Sequence, residues 1–435
     1  MKKNSKHKIF IGLSETSGYY SNLKKGFKEL GQDCVFIDLS HNKHKYCGDD
    51  VPNFLVKLYR FLYSRQQVNL DKNILIRMFF KVILLILRVP IFLWAIFNYN
   101  VFIFAGPSTF YKHYDYPILK FLGKKIINVH LGSGSRPPFL DGGALGGFSG
   151  IKPSTDELIV LAEQRKKQLK SMDKYIDVLI DHPPQAYFHE KKFVSLLYIG
   201  IPFNTDKFAN ITREESIDGK IKILHAPSYF GHKGTEKIRA KIRELMDSGF
   251  DIDYKELNNV PNEVVLKEIQ NCDFVIDELY SDSPMATFGA EAAFFGKPAI
   301  NGGYYAAHLK DYYNLKIIPP CVFCHPEKLK EEIIKLINDK EYRTRLGKDA
   351  QRYVLNNWSP RTVASKFMMV INGNIPDEWL FDPSDIKYLN GGGVSEENLK
   401  AIIKDMIEKA GIESLQLSDK PELEKMFFNF ANNVK

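Results

Sequence analysis

The stretch HKIFIGLSETSGYYSNLKKGFKELGQDCVFIDLS, residues 7–40, predicts two apolar strands separated by a helix. Its first apolar run, Ile9 to Leu13, is typical of a buried strand and leads into a loop rich in serine and glycine. A second run of this kind spans Cys34 to Ile37. The intervening helix has one apolar stripe and a terminating glycine, formed by Leu23, Phe27, Leu30 and Gly31. The chain therefore opens as a βαβ unit.

The same alternation of strand and helix continues in two sets. The first set has four further predicted strands: YNVFIFAG, KKIINVHLG, DVLIDHP and SLLYIGIP. The second set follows a polar stretch at about 202–218 and has four: IKILHAPS, DIDYKELN, DFVIDEL and PAINGG. Alternation of this kind predicts open parallel sheets covered by helices, which bind ligands beyond the carboxyl ends of their strands. We predict an α/β protein of two tandem Rossmann-like doubly wound domains with a ligand cleft between them.

Length and composition exclude several other classes of protein. With 435 residues and 44% hydrophobic content the chain can bury two cores, so disorder is not expected. The five cysteines are scattered and no secretory segment precedes them, so we expect reduced thiols in the cytoplasm. Residues 321–325 match the CxxCH pattern of haem attachment, but the surrounding sequence reads as a strand, a proline turn and a helix. No second ligand pair indicates a zinc site.

Residues 51–100 carry about seven lysines and arginines against one acid, Asp71. Within them, the apolar run 73–97 is interrupted by charges and by Pro90, which disfavours a transmembrane helix. Three basic residues at helical spacing share one face, and large apolar residues fill the rest: Arg77, Lys81 and Arg88, with Phe79, Phe80, Ile83, Leu87 and Phe92. This pattern fits a helix lying on an anionic membrane surface, and equally a buried helix with snorkelling basic side chains. No groove-reading motif supports nucleic-acid binding.

Two segments of the second domain carry features of an anion site. In HAPSYFGHKGTEKI, residues 225–238, Lys233 and backbone N–H groups at a helix start would converge where a phosphate could bind. In DSPMATFGAEAAFFGKP, residues 282–298, a helix is predicted to begin near residues 287–289. Glu291 is placed in its first turn, where a carboxylate is favoured and could accept hydrogen bonds from a ribose.

These runs, together with NCDFVIDELY, resemble the donor-binding domain of the group 1, family 4 retaining glycosyltransferases of the GT-B fold. Three segments of the first domain, YNVFIFAGPSTF, DYPILKFLGKKIINVHLGSGSRPP and YIGIPFNTDKF, resemble members that build bacterial cell-surface polysaccharides. The resemblance covers roughly residues 8–371. We predict five segments: an acceptor-side domain 1–201, a linker 202–218, a nucleotide-sugar-binding domain 219–357, a helix 358–372 that crosses back to the first domain, and a helical appendage 373–435, which lies outside the resemblance.

The resemblance also implies roles for single residues. Lys233 would hold the donor diphosphate, Glu291 would bind the ribose, and the backbone at Thr287, Phe288 and Gly289 would contact the phosphates or the sugar. Two further donor positions depart from the family pattern: Ser228 replaces an arginine and Ser283 replaces the first glutamate of E-x7-E. The catalytic candidates are His130, Arg136 and Asp282, the acid adjacent to Ser283. No metal or other cofactor is implied.

Two glycine-containing loops are predicted walls of the acceptor side. One is residues 14–18, with Ser17 and Gly18, and the other is residues 132–150, with Gly132 and Ser133. Near the C-terminus, Gly391 to Gly393 are predicted to form a flexible hinge before an amphipathic helix that begins after Ser395.

The expected function is retaining transfer of a sugar from a nucleotide-sugar to a glycan or lipid-linked acceptor, on the cytoplasmic side of a membrane. Two alternatives remain open. A nucleotide-sugar epimerase would use the same cleft and require an acid or base pair, for which Asp282 and Glu278 are the nearby candidates. A non-catalytic binding module at the membrane surface would retain the fold without turnover.

Overall fold

The computed structural model describes residues 7–39, 53–68, 74–147, 149–203, 219–228 and 230–433. The predicted linker 202–218 lies almost wholly outside the described residues. The described chain forms two mainly parallel sheets of seven and five strands, with helices packed on their faces. This is the predicted α/β architecture of two tandem Rossmann-like domains.

The first sheet has the strand order β12-β6-β5-β4-β3-β1-β2. Its strands are β1 Lys8–Leu13, β2 Asp33–Asp38, β3 Val101–Ala105, β4 Lys125–Val129, β5 Val178–Asp181, β6 Phe193–Ser195 and β12 Leu380–Phe381. Its helices are α1 Tyr19–Glu29, α2 Phe54–Val68, α3 Ile74–Asn98, α4 Tyr116–Phe121, α5 Thr155–Asp173 and α6 Leu196–Ile199. The inner strands are buried on both faces, which is why they read as continuous apolar runs.

The second sheet has the strand order β11-β10-β9-β7-β8 and is entirely parallel. Its strands are β7 Ile221–His225, β8 Ile252–Glu256, β9 Phe274–Glu278, β10 Ala299–Gly302 and β11 Val322–Cys324. Its helices are α7 Phe230–Lys233, α8 Thr235–Asp247, α9 Asn262–Asn271, α10 Thr287–Phe294, α11 Leu309–Tyr312, α12 Leu329–Asn338 and α13 Lys340–Asn357. Cys324 ends β11, and His325 caps the short helical turn that follows it.

One helix from the end of the second domain packs on the first. This helix, α14, spans Pro360–Asn372 and lies against α1. A Cβ atom at Gly26 of α1 would lie only 1.9 Å from the carbonyl oxygen of Pro360, so the two backbones are in close contact there. Phe27 and Phe367 meet edge to face across the same interface. The close contact explains why a glycine is needed in the middle of α1.

The C-terminal segment is built into the first domain. β12 adds an antiparallel edge strand beside β6, and the final helices, α15 Glu396–Ala410 and α16 Pro421–Ala431, pack against each other, with α15 also packed on α5. Their apolar residues belong to the main core of that domain: Leu399, Ile402, Ile403, Met406, Leu423 and Phe427. The segment is therefore part of the domain core as well as an appendage.

The prediction of a flexible hinge at residues 391–393 is wrong. Gly392 exchanges backbone hydrogen bonds with Leu140 and Gly142 of the first domain, and Gly393 donates its N–H to the carbonyl of Tyr280 in the second. Glycine is required here by close contacts with neighbouring groups, and sequence alone could not distinguish this requirement from flexibility.

A second prediction, a strand over SLLYIGIP, is also wrong beyond its first residue. The strand β6 ends at Ser195, whose side chain accepts a hydrogen bond from the N–H of Leu197 and starts the short helix α6. Serine at a helix N-cap can redirect an apolar run in this way.

Helices α2 and α3 form a hairpin with an uncovered apolar face. Among the described residues, α3 is the one helix long and apolar enough to cross a membrane by length and composition, with a mean hydropathy of 2.3 in a window that is 28% buried. The three basic residues of α3 stand at i, i+4 and i+11 of one continuous helix and share one face, as predicted, but they differ in their surroundings. Arg88 points inward, where it donates to the hydroxyl of Tyr59 on α2 and to the carbonyl of Phe110, while Lys81 is exposed.

Candidate functional site

The two sheets place their carboxyl ends at the contact between the domains. In the first sheet the strand order reverses between β1 and β3, and in the second it reverses between β7 and β9. Doubly wound sheets bind ligands at such points because the loops on either side diverge and leave a crevice. Loops that follow β4 and β5 of the first sheet contact the loop that follows β9 of the second.

Lys233 lies at the reversal point of the second sheet. Its Nζ atom is 2.9 Å from Oδ1 of Asp277 and 2.6 Å from Oε2 of Glu278, at the carboxyl end of β9. Burial alone would lower the pKa of Lys233, but these two carboxylates raise it above its ordinary value. The two carboxylates therefore favour the charged form of this partly buried lysine.

The two acids beside Lys233 differ in their own ionisation. Burial alone would raise the pKa of Glu278, but Lys233 and His232 lower it to about 2. Burial raises the pKa of Asp277 even though Lys233 is adjacent. Glu278 is therefore the fixed counter-ion of Lys233, and Asp277 is the acid that takes up a proton more readily.

Helix α10 begins at Thr287, within the predicted range, but the predicted position of Glu291 is wrong by one turn. No acid lies in the first turn of α10, and Glu291 is its fifth residue. Its Oε1 accepts a 3.0 Å hydrogen bond from the side-chain amide of Asn262. Gly289 lies close to Asp277: a Cβ atom there would be 3.7 Å from Oδ2 of Asp277. The start of α10 therefore faces the Lys233 cluster, and Glu291 faces the loop that precedes α9.

The remaining predicted donor residues lie around this cluster without joining it. Ser228 is exposed in the loop after β7. Ser283 forms a tight turn, with its N–H on the hydroxyl of Ser281 and its own hydroxyl on the carbonyl of Met285. Thr287 and Phe288 are half-buried, and Phe288 packs into the core of the second domain.

Of the three predicted catalytic residues, the structure joins Arg136 and Asp282. Arg136 is only 4% exposed and forms an ion pair with Asp282 across the domain contact, and a second one at 3.5 Å with Asp141. The side-chain amide of Gln185 also reaches Asp282, at 3.4 Å. Burial alone would lower the pKa of Arg136, but Asp282 and Asp141 raise it. This pair holds the two domains together.

His130 belongs to a separate buried cluster with Asp181 and His189. The His130 ring nitrogens have no hydrogen-bond partner among the described residues, and burial lowers the pKa of His130 to about 4. Nδ1 of His189 donates to Asp173 at 2.8 Å, and Nε2 lies 3.3 Å from Asp181. Burial alone would lower the pKa of His189, but Asp173 and Asp181 raise it to about 9.

Sequence reasoning did not identify this cluster. The sequence does contain a signal for the pairing of His130 with Asp181. Asp181 ends the strand β5, His130 follows the neighbouring strand β4, and parallel neighbours bring their carboxyl ends together. Nothing in the local sequence marks Asp173 or His189, which reach the cluster from α5 and from the segment after a short helical turn.

The predicted acceptor-side loops have defined backbone conformations. Ser17 and Gly18 both have positive φ angles, 49° and 80°, in the turn before α1. Glu15, which the sequence reading did not single out, accepts hydrogen bonds from three backbone N–H groups at the start of α1. The carboxylate of Glu15 thus already binds the free N–H groups at the N-terminus of α1, where an external anion would otherwise bind. In the second loop, the carbonyl of Ser133 accepts a hydrogen bond from Arg165, and Gly132 is half-buried beside it.

Residues 388–396, which we call the strap, cross the contact between the domains. The hydroxyl of Tyr187 donates to the carbonyl of Tyr388, and the hydroxyl of Tyr304 accepts from the N–H of Glu396. Gly393 lies directly against His232, the neighbour of Lys233: a Cβ atom at Gly393 would be 2.2 Å from Nδ1 of His232. The strap therefore lies beside the residue next to Lys233.

No protein-family profile and no curated protein sequence matches this chain. Its fold is similar to that of several solved structures at low identity. The catalytic domain of starch synthase IV from Arabidopsis thaliana, bound to ADP and acarbose, is 10% identical, with 85% of this chain and 99% of that chain covered and a TM-score of 0.47. HepE of Anabaena, in complex with UDP and glucose, is 12% identical, with coverage of 84% and 100% and a TM-score of 0.43. A putative UDP-N-acetylglucosamine 2-epimerase from Listeria monocytogenes is 10% identical, with coverage of 85% and 96% and a TM-score of 0.41. At this level of similarity the comparisons do not assign a function to this chain.

Proposed function

We propose that this protein transfers a sugar from a nucleotide-sugar donor to a hydroxyl group of an acceptor. We also propose that the anomeric configuration is retained, that the acceptor is a lipid-linked glycan, and that the product belongs to a bacterial surface polysaccharide. These finer assignments rest on the resemblance of residues 8–371 to the family 4 glycosyltransferases. Protein groups alone would bind the donor diphosphate, without a metal ion or other cofactor.

The observation that carries the proposal is the ion-paired, partly buried Lys233 at the reversal point of the second sheet. Departure of a nucleoside diphosphate leaves negative charge on the phosphate that was bonded to the sugar. A cation that is already fixed in a water-poor site stabilises that charge without reorganisation, and such a contribution is typically worth about a hundredfold or more in rate. Lys233 has this position and charge.

Donor binding must change the pairing of Lys233, because its Nζ atom now contacts two carboxylates. Asp277 is the partner that we expect to yield, since burial raises its pKa and favours its neutral form. Glu278 would remain ionised and keep Lys233 oriented. A phosphate oxygen could then take the place that Asp277 occupies on the ammonium group.

The nucleoside would lie on the side of Glu291. The loops after β7 and β8 are joined there, because the amide of Asn258 donates to the carbonyl of Pro227 at 2.9 Å. Asn262, at the start of α9, holds the carboxylate of Glu291 beside these loops. A carboxylate fixed in this way can accept the two vicinal hydroxyls of a ribose.

The epimerase alternative requires a free acid or base pair near the sugar. Its two candidates are each held in a buried ion pair, Asp282 with Arg136 and Glu278 with Lys233. We therefore favour transfer over epimerisation.

The proposed transfer can be tested by incubating the purified protein with each common nucleotide-sugar and with lipid-linked glycan acceptors. Release of the nucleoside diphosphate and the gain in acceptor mass would be measured together. We expect one donor to support transfer, and Lys233→Met to lower the rate about a hundredfold or more. Lys348→Met is the matched control, because Lys348 is exposed on α13 and makes no contact with the cleft. Donor binding without transfer would instead support the non-catalytic binding module.

We also propose that the α2–α3 hairpin docks on the anionic cytoplasmic face of a membrane, which would bring the enzyme to a lipid-linked acceptor. The exposed face of α3 is apolar, with Phe79 and Ile86 each 61% exposed. The two helices contain six lysines and arginines and no acid. An apolar face combined with basic charge is typical of helices that lie in the interface of an anionic bilayer.

Sedimentation with lipid vesicles tests the docking proposal. We expect the wild type to bind vesicles that contain phosphatidylglycerol more tightly than vesicles of phosphatidylcholine alone. Phe79→Glu combined with Ile86→Glu should abolish binding, whereas Leu315→Glu, an equally exposed apolar position in the second domain, should not. Equal binding of the hairpin variant and the wild type would contradict the proposal, as would a wild type that binds neither vesicle.

A further inference from the structure

The buried cluster of His130, Asp181 and His189 has the donor set of a metal site. Each of these residues offers one ligand atom, and the three atoms lie within 4.8 Å of one another. All three side chains are fully buried or nearly so. Two imidazoles and one carboxylate are ligands that suit Zn²⁺ and neighbouring divalent transition metals.

The orientation of the polar atoms indicates that they face a common point. Asp181 Oδ2 and His189 Nε2 are 3.3 Å apart, yet neither makes a hydrogen bond of normal geometry. Two ligands of a tetrahedral ion with bonds of about 2.0–2.1 Å are separated by roughly 3.3–3.4 Å. The separation of this pair therefore matches two ligands of one tetrahedral ion.

His130 completes the set from the neighbouring strand. Its ring nitrogens have no hydrogen-bond partner among the described residues, which is costly for polar atoms in the interior. Two glycines leave space around the ring: a Cβ atom at Gly106 or Gly134 would lie only 3.3 or 3.0 Å from Nδ1. One of these nitrogens lies within 4.8 Å of the ligand atoms of Asp181 and His189.

The surroundings of His189 support a ligand role. Its Nδ1 donates a 2.8 Å hydrogen bond to Asp173, which directs Nε2 towards Asp181 and His130. A carboxylate that orients a histidine in this way is a regular feature of zinc sites. The second oxygen of Asp173 accepts from the backbone N–H of Glu190, so the carboxylate itself is fixed.

We propose that His130, Asp181 and His189 bind a divalent transition-metal ion of the zinc class, with Asp173 as the residue that orients His189. The fourth position of the ion is open to water or to a small anion. The ion would tie the ends of β4 and β5 to the segment that carries His189. It lies apart from Lys233, so this proposal does not depend on the proposed transfer reaction.

The test is the metal content of the full-length protein. The protein is produced in cells grown in zinc-supplemented medium, purified, and dialysed against metal-free buffer. We expect about one zinc ion per chain in the wild type, measured by mass spectrometry of the elements. His130→Gln and Asp181→Asn should each retain less than about a tenth of that amount, in keeping with the loss of one of three ligands. His308→Gln, which changes an exposed histidine that pairs with Asp311, should retain it all.

A titration of the wild type with Co²⁺ keeps the proposal testable if the variants do not fold. Binding at this site should produce the visible absorption bands of tetrahedral cobalt with nitrogen and oxygen ligands, and Zn²⁺ should displace them. Added metal should also raise the midpoint of thermal unfolding. A folded wild type that retains no zinc and develops no cobalt bands would overturn the proposal and assign the cluster to an imidazolium held between two carboxylates.

Discussion

The ion pair between Arg136 and Asp282 is the charged contact that most directly links the two domains. Both side chains are buried, and Asp141 gives Arg136 a second partner. Removing one member of a buried pair costs more than the pair contributes, because the remaining charge stays in the interior. The pair is therefore a sensitive probe of domain closure.

We expect Arg136→Met to lower the free energy of unfolding by about 3–5 kcal/mol, since it leaves two buried carboxylates without their cation. Asp282→Asn should cost less, because Asp141 still neutralises Arg136. The double variant should be more stable than the sum of the single effects predicts, by at least about 1 kcal/mol. Urea unfolding of the wild type, the two single variants and the double variant measures these free energies. Strictly additive losses would show that the two side chains do not interact in solution.

His225 provides a prediction about pH. Its Nδ1 donates to the carbonyl of Ile276, and its Nε2 accepts from the hydroxyl of Thr235, so the ring is neutral. Burial lowers the pKa of His225 to about 4 in the folded protein, below its ordinary value of 6.5. The stability linked to this group is therefore present above pH 6.5 and is lost as the pH falls towards 4, because the unfolded chain takes up the proton first.

Between pH 7.5 and pH 5 the loss attributable to His225 should be about 2 kcal/mol. The variant His225→Asn keeps a donor for the Ile276 carbonyl but does not titrate in this range. Urea unfolding of both proteins at the two pH values gives the difference. If the variant lost as much stability between pH 7.5 and pH 5 as the wild type, the assigned ionisation of His225 would be wrong.

Sequence predicted single residues only where a local motif marked them. Lys233 follows a strand and precedes a helix, and this context placed it at the edge of the second sheet. Its ion pairs with Asp277 and Glu278 depend on the end of a strand 44 residues away, as the contact of Lys233 with Asp277 shows. The pairing of Arg136 with Asp282 spans 146 residues and could not be read from either segment alone.

At the scale of elements, the strap is where the sequence reading differed most from the structure. Three successive glycines are typical of flexible linkers, yet here each lies where a side chain would overlap a neighbouring group: the backbone of Leu140, the guanidinium of Arg136 or the ring of His232. The strands, in contrast, were predicted well where both faces of the sheet bury them, because such strands are continuous apolar runs. The boundary between strand β6 and helix α6 was misplaced, since one hydroxyl cap decides it.

The close contact of Gly393 with His232 predicts a large effect of a single methyl group. Gly393 has a φ of 73°, and a Cβ atom there would overlap the His232 ring. Gly31→Ala is the matched control, because Gly31 has a φ of 70° but nothing within 4 Å. We expect Gly31→Ala to cost about 1 kcal/mol and Gly393→Ala at least about 1 kcal/mol more. Equal losses in urea unfolding would mean that the strap does not lie against His232.

At the scale of the whole molecule, a crossing helix and the C-terminal strap connect the two domains. Domain class and order followed from the alternation of strand and helix, which is a property of the whole sequence. The contact between the domains could not be predicted in this way, because it depends on Arg136, Asp282 and the strap together. The strap also lies against His232, the residue next to Lys233, so it belongs to the surroundings of the proposed donor site.

The measurement that tests the central claim most directly is calorimetric titration of the full-length protein with a panel of nucleoside diphosphates. We predict that one of them binds, that Lys233→Met weakens its binding at least about tenfold, equivalent to about 1.4 kcal/mol, and that Lys348→Met leaves it unchanged. Binding of equal strength to the wild type and to a folded Lys233→Met variant would contradict the assignment of the donor site. Absence of binding by every member of the panel would contradict the proposed function.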